Sequence, residues 1–328
     1  MKNTILFGGT NTERLVSVAT SQALCEALPE ADLWFWHVAD TVHEVTKAEL
    51  LGHKRPFEDE FKPERRGLPL AQALDRARAE RRVLVLGLHG GTAENGELQT
   101  MCELRGVPFT GSGSASSHLA FDKTAAKRFA ALGGVPSPSA IELDQLDDAF
   151  AEYGKLIAKP VRDGSSYGLI YVVAKQDLVA VRNAAKTEEY LIEPFITGTE
   201  ATCGVLEQSD GKIFSLPPIE IVPAEGRFDY TAKYLLKSTQ EICPGRFSPE
   251  VTAQLQALAV KAHRALSCSG YTRSDFIISA KGPIYLETNT LPGLTKASLY
   301  PKALKAEGID FSDFLHDQIA LAVKRTQR

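Results

Sequence analysis

The sequence predicts a multi-lobed protein that opens with a parallel α/β sheet and continues into two α+β lobes. Three observations carry that reading. At 328 residues the chain exceeds what one hydrophobic core serves, since single domains run to roughly 100–200 residues, and clefts between lobes are expected. The first third alternates short apolar runs with helical ones, the order that builds a parallel sheet flanked by helices. Past TGSGSASS, residues 110–117, the pattern changes to paired apolar runs separated by turn residues.

In the first lobe, residues 1–113, strands are expected over residues 4–7, 33–38 and 83–88, with helices over 13–27 and 70–81. Trp34 and Trp36 fall in the second strand and read as packing. The stretch HKRPFEDEFKPERR, residues 53–66, is charged, proline-bearing and aperiodic, so it reads as a solvated loop without a function. The second lobe, 114–200, should hold a helix over 123–132 and strands over 156–159, 168–173 and 190–195. The third, 201–328, should hold strands over 202–206, 212–221, 271–278 and 283–288, with helices over 249–266 and 311–323.

Composition narrows the function classes. A net charge of −4 supplies no electrostatic pull toward nucleic acid or an anionic membrane. The N-terminal MKNTILFGGT has too short an apolar run for a signal segment or a membrane span, which points to the cytoplasm. The five cysteines, Cys25, Cys102, Cys203, Cys243 and Cys268, are scattered and form no CxxC pair. Buried thiols are therefore expected, not a disulfide framework or a zinc site.

The strongest local signal is YTRSDFIISAKGPIYLETNTLPG. Two strand-like runs flank Ala280-Lys281-Gly282, which makes a hairpin. With a turn centred on Lys281, Asp275 faces Glu287 and Arg273 faces Asn289, and period-two alternation puts all four on one face. Two carboxylates and an amide beside a guanidinium suit magnesium, which takes one or two carboxylates plus substrate phosphate oxygens. Cross-strand ion pairing on a surface hairpin is the plainer alternative. A second signal is LIAKPVRDGSSYGLIYVV. There a strand ends in Lys159 and Gly164-Ser165-Ser166 follows, a turn that either folds over phosphate or simply reverses the chain. It is not a Walker loop, because no GxxxxGK[ST] occurs in the chain. Nor does a GxGxxG follow the first strand, which sets aside a dinucleotide-dependent dehydrogenase.

The ordered series GGTNTERLVS, HGGTAENGELQ, GVPFTGSG, FDK, AKPVRDGSS, IEPF, TAKY, GYTRSDF and LETNTLPG resembles the D-alanine, D-alanine ligase family over nearly the whole chain. The resemblance implies an ATP-grasp fold of three lobes, its first a Rossmann-like parallel-sheet domain, with ATP held between the second and third. It implies D-alanyl-D-alanine formation through an acyl phosphate for peptidoglycan precursor synthesis, with ATP and two magnesium or manganese ions. The partners it implies are small-molecule amino acids and ATP, not nucleic acid or membrane, and a homodimer stays open.

Carried over by position, Lys123, Lys159 and Ser166 would contact ATP phosphates, and Asp275, Glu287 and Asn289 would hold the metal. Glu193, Pro194 and Ile196 would form the adenine hinge and Glu200 the ribose contact. Arg273 and the Gly293 N–H resemble an oxyanion pair. Glu13, Ser165 and Tyr234 resemble the group that orients the first amine. Lys233, also counted among the ATP contacts, resembles with Ser298 and Leu299 the pocket for the second carboxylate, and His89 is a further substrate contact. Several of these residues keep a plainer reading: Glu13 as a first-turn helix carboxylate, His89 as a packed histidine, Tyr234 as a loop aromatic. Residues 225–244 would be a closing lid. The chain departs from the family pattern where Pro194 replaces a usual lysine, Arg14-Leu15 a usual His-Glu, and Ala93-Glu94-Asn95 a usual Gly-Glu-Asp. The last two departures bear on substrate identity and leave a ligase for other amino acids as the competing reading; an ATP-binding regulator that has lost catalysis is a further rival, against which Arg273, Asp275, Glu287 and Asn289 argue.

Overall fold

In the computed structural model, residues 1–162, 164, 167–222 and 239–327 are described. Three sheets organise them. The first contains β1 (Lys2–Gly8), β2 (Asp32–His37), β3 (Thr41–Val45), β4 (Leu68–Pro69) and β5 (Arg82–Leu86), in the order β4-β3-β2-β1-β5. Helices α1 (Arg14–Ala27), α2 (Lys47–Gly52), α3 (Leu70–Ala79), α4 (Gly91–Glu94) and α5 (Glu97–Arg105) accompany it. β1 sits between two parallel neighbours, and because Ile5, Leu6 and Phe7 alternate between its two faces and are all fully buried, both faces are covered.

The sequence predicts a parallel sheet, but β3 and β4 run antiparallel to their neighbours. Residues 38–40 link β2 to β3, and a link that short can only fold the strand back, since a parallel crossover needs a dozen residues or so. Trp34 is buried under the Arg82 guanidinium, 4.9 Å from its ring centroid, which agrees with a packing role.

The second group comprises α6 (Ser114–Phe121), α7 (Lys123–Leu132), α8 (Leu146–Tyr153), β6 (Leu156–Pro160), β7 (Ile170–Val172), α9 (Leu178–Ala184) and β8 (Tyr190–Pro194). Its sheet, β7-β6-β8, packs a core of its own from Leu146, Ala158, Val172, Leu178 and Ile192.

The third sheet holds β9 (Thr199–Glu207), β10 (Ile213–Ser215), β11 (Ile219–Val222), β12 (Gln240–Ile242), β13 (Tyr271–Ser279) and β14 (Gly282–Asn289), backed by α10 (Pro249–Ala265), α11 (Leu299–Ala306) and α12 (Phe311–Thr326). The single strand expected over 212–221 is two strands, because Pro217-Pro218 interrupts it and proline has no N–H for a ladder. β9 pairs as one strand through Glu200, so Thr199 and Glu200 belong to the third sheet. Tyr271, Tyr300 and Phe314 share one core with Ile5, Phe7 and Leu24 of the first lobe. The outer lobes of the chain are thus welded together by burial.

No cysteine is bridged: Cys25, Cys102, Cys203 and Cys268 are buried and Cys243 is half-buried. Among the described residues no helix is long and apolar enough to cross a membrane.

Candidate active site

A cleft of about 790 Å³ lies between the β7-β6-β8 sheet and the third sheet and reaches the end of the first lobe. Its floor is the β13–β14 hairpin. Asp275 pairs with Glu287 and Arg273 with Asn289, as expected, but the route differs. The turn is the two residues Ala280-Lys281, with Ser279 opposite Gly282. Phe276 then faces Tyr285 while Asp275 faces Glu287, so Leu286 is one extra residue in β14. That β-bulge shifts the alternation by one. Pro283 and Tyr285 point into the core on one side of it and Thr288 on the other, and Leu286 and Glu287 both line the cleft.

Arg273 grips Asp275 with two parallel bonds, Nε to Oδ1 and Nη2 to Oδ2, each 3.0 Å. Such a fork fixes a guanidinium in direction as well as position. Thr202 Oγ1 donates to Asp275 Oδ1 at 2.5 Å, and Asn289 Oδ1 accepts from the Leu291 N–H at 2.8 Å. Glu287 lies 3.8 Å from Lys123 Nζ. The oxygens of Asp275, Glu287 and Asn289 are hard donors set on one face and are compatible with magnesium. Among the described residues no group of three or more His, Cys, Asp and Glu could hold a metal. The ion would therefore need phosphate oxygens to fill its shell.

Over this floor stands α7. Asp122 caps it by accepting from Ala125 N at 2.9 Å, and the Lys123 N–H bonds the Val161 carbonyl at 3.1 Å. Lys159, on β6, pairs with Glu193 Oε2 on β8 at 2.9 Å, and Lys127 pairs with the other carboxylate oxygen. The apolar wall is Ile157, Tyr171, Val173, Phe195, Ile277 and Leu286, with the Tyr171 and Phe195 rings 6.1 Å apart. Flat apolar surface of this kind suits a purine face. Pro194, Ile196 and Glu200 lie along its edge.

The far end is built from turns of the first lobe. Ser17 Oγ accepts from the Gly8 N–H at 2.7 Å and donates to the Gly87 carbonyl at 2.5 Å, tying the first βα turn to β5. Gly8 has φ 95°, and a Cβ there would fall 2.4 Å from the Trp36 carbonyl oxygen. Asn11 bonds the His89 carbonyl at 2.7 Å and accepts from the Glu13 N–H at 2.8 Å. These bonds aim the Glu13 carboxylate at Gly90, where any Cβ would lie 2.2 Å from it. The same carboxylate oxygen lies 3.8 Å from where a Cβ on Gly164 would be, beside Ser165 in sequence. His89 bonds Thr20 Oγ1 through Nε2 at 2.8 Å. Burial, outweighing the pull of Glu13, lowers its pKa and keeps the ring neutral. Ser298 is the N-cap of α11 and Leu299 its first residue, so a helix N-terminus, favourable to a carboxylate, opens on the cleft beside Gly293.

Glu94 is not among the site residues expected from the sequence, yet it lines the cleft and accepts from the Gly90 N–H at 3.0 Å. Burial, and then the charge of Glu13, push its carboxyl up to about 8. A carboxyl raised in this way stabilises the fold below its unfolded pKa of about 4.5, and that stability is lost as pH rises to about 8. Glu94→Gln should therefore lose about 2–3 kcal/mol less than the parent between pH 5 and 8, after discounting for contact with solvent. Urea unfolding at several pH values measures this, and parallel profiles would remove the assignment.

The departures in sequence fall mostly outside the cleft. Arg14 donates to the Asn11 carbonyl at 2.9 Å and pairs with Glu60, bracing the 53–66 segment. That segment has no regular element, as expected, but it packs Phe61 against Phe35 at 4.9 Å and brings Phe57 to the cleft. Ala93 is buried and Asn95 accepts from the Glu97 N–H at 3.0 Å. Glu13, His89, Lys123, Lys159, Glu193, Pro194, Ile196, Glu200, Arg273, Asp275, Glu287, Asn289, Gly293, Ser298 and Leu299 all line one cleft. Ser165, Ser166, Lys233 and Tyr234, with most of the expected lid, lie outside the described residues.

Residues 2–112 match the family model described as the D-ala D-ala ligase N-terminus, and residues 151–320 that of the D-ala D-ala ligase C-terminus. A D-alanine--D-alanine ligase of Leptospira interrogans is 34% identical over 351 residues, covering 99% of each chain. One from Cupriavidus taiwanensis is 41% identical over 244 residues, covering 72% of this chain and 74% of the relative. Among solved structures, a D-Ala:D-Ser ligase from Enterococcus faecalis superposes with a TM-score of 0.78 at 30% identity, over 98% of this chain and 99% of the other. A D-alanine--D-alanine ligase from Bacillus anthracis gives 0.74 at 27% identity, over 100% and 99%.

Proposed function

From the premise that this chain belongs to the D-alanine–D-alanine ligase family, we propose that its cleft joins two D-alanine molecules at the expense of ATP, for peptidoglycan precursor synthesis. The observation that carries the residue assignment is the convergence on one cleft of the hairpin set Arg273, Asp275, Glu287 and Asn289 with Lys123 and Lys159.

The base of ATP would rest against Ile157, Tyr171 and Leu286, with its phosphates toward Lys123 and Lys159. Asp275, Glu287 and Asn289 would hold magnesium, which would supply charge neutralisation on the phosphates. The carboxylate of the first D-alanine attacks the γ-phosphorus, the bond to ADP breaks, and an acyl phosphate forms. The amine of the second D-alanine, its carboxylate at the N-terminus of α11, attacks the acyl carbon. Arg273 and the Gly293 N–H meet the oxyanion, and inorganic phosphate leaves as the amide forms. Arg273 needs no reorganisation at that moment, because its fork on Asp275 already fixes it. Glu13, with Ser165 and Tyr234, holds the first amine. Dependence on ATP suits work in the cytoplasm.

Substrate choice is tested by competition. With D-alanine, D-serine, L-alanine, glycine and D-lactate supplied together with ATP and magnesium, D-alanyl-D-alanine should dominate the products by mass spectrometry. A larger yield of D-alanyl-D-serine would place the chain with the D-Ala:D-Ser relative instead, and an ester product would remove the amine-specific reading of the second pocket.

A further inference from the structure

We propose that Lys127, which does not line the cleft, is a positioning residue for ATP: it offsets the buried charge of Glu193 so that Lys159 stays available to the phosphates. The inference rests on the ATP site proposed above and deepens it.

Lys123 and Lys127 are one turn apart on α7 and share a face. Lys123 reaches across the cleft toward Glu287 at 3.8 Å, whereas Lys127 turns down to the Glu193 carboxylate. Glu193 is 1% exposed and Lys127 6%, so neither charge is served by water. Glu193 uses its two oxygens separately, one on Lys127 and the other on Lys159 at 2.9 Å. The trio of two cations and one anion carries one net positive charge, and Lys159 is its member on the cleft.

Without Lys127, Glu193 and Lys159 would form a neutral pair. Phosphate would then have to draw Lys159 away from a buried carboxylate with no other partner, and that loss is severe in a poorly solvated place. With Lys127 present, Glu193 stays satisfied when Lys159 moves. Burial and then the Lys159 charge lower the Lys127 ammonium to about 7, against the upward pull of the Glu193 carboxylate, which is the group that keeps a proton on it, while both lysines outweigh burial to keep the Glu193 carboxyl low. The charged groups facing Lys127 are Lys159, Glu193 and, farther off, Glu287.

The discriminating experiment is calorimetric titration of the full chain with magnesium-ATP, with steady-state kinetics alongside. Lys127→Met should weaken ATP binding about tenfold or more, which is about 1.4 kcal/mol, and leave the KM for D-alanine unchanged. Lys127→Arg should bind ATP like the parent. On a Glu193→Gln background, Lys127→Met should change ATP affinity by no more than about threefold, because no buried carboxylate is then left for Lys127 to offset. A residue that merely fills space would cost the same on both backgrounds. Lys127→Met binding like the parent, or a loss on the Glu193→Gln background as large as on the parent's, would overturn the proposal. Should Lys127→Met not fold, Glu193→Gln and the double variant carry the test: affinities within about threefold support the proposal, and a gap of tenfold or more refutes it. Lys159→Met is the control for the underlying site. A parent that binds no ATP, or a Lys159→Met variant as tight as the parent, would sink the ATP reading and this inference with it, a result distinct from failure at Lys127 alone.

Discussion

Glu287→Gln should reduce ADP formation by at least about 10³-fold while leaving the protein folded, on the scale by which transition-state charge stabilisation is lost when a key group is removed. The substitution keeps size and removes one negative charge and one acceptor oxygen from a three-residue set that has few alternatives. Asp275 is already shared with Arg273 and Thr202, and Asn289 carries no charge, so Glu287 is the carboxylate with the most freedom to meet a cation. Its side chain is 37% exposed and its ion pair with Lys123 is long at 3.8 Å, which is why little stability should be lost. The measurement is ADP release in a coupled assay over a range of magnesium concentrations, beside a thermal melt. Full turnover by a folded variant would remove the metal assignment.

Arg273→Lys should lower kcat about 10²–10³-fold with the KM for ATP changed no more than severalfold, the signature of a group that acts mainly in the transition state. Lysine keeps the charge, so a purely coulombic role would survive it. What it cannot reproduce is the two-bond fork on Asp275, and with it the direction of the remaining donors. A raised KM for ATP at unchanged kcat would place Arg273 in ground-state binding. A shift in the magnesium requirement would mean that the substitution acted through Asp275 instead.

Much of this site can be read from local chemistry. The hairpin residues lie within one stretch of chain, and period-two alternation is a local rule, so the shared face of Arg273, Asp275, Glu287 and Asn289 is legible in the amino-acid order itself. The sequence nevertheless suggests a three-residue turn, whereas the structure has a two-residue turn and a bulge at Leu286. Both arrangements give the same register beyond the bulge. Only the bulge explains why Leu286 and Glu287 line the cleft together, and nothing in the composition of PIYLETN marks it.

Other elements escape a local reading for equally physical reasons. The antiparallel return through β3 and β4 rests on a short link without a strong turn dipeptide. The 53–66 segment looks inert in sequence because its two useful groups, Phe57 and Phe61, are single aromatics in a charged run. The packing of Phe61 depends on Phe7 and Phe35, far away in the chain.

What the sequence determined by itself, then, is the order of lobes, the ligase family and most of the charged residues that line the cleft, because strand alternation and motif order are carried along the chain. Tertiary structure alone brought Lys127 to Glu193 and Glu94 to the cleft, and turned Arg14 away from it. Each of those assignments depends on which charges share a buried place. Lys127 meets Glu193 across 66 residues of chain, Glu94 is raised chiefly by burial and the Glu13 charge, and Arg14 is drawn outward by Glu60. Burial and proximity between distant segments set both the cost of a charge and its use, and neither exists until the chain has folded.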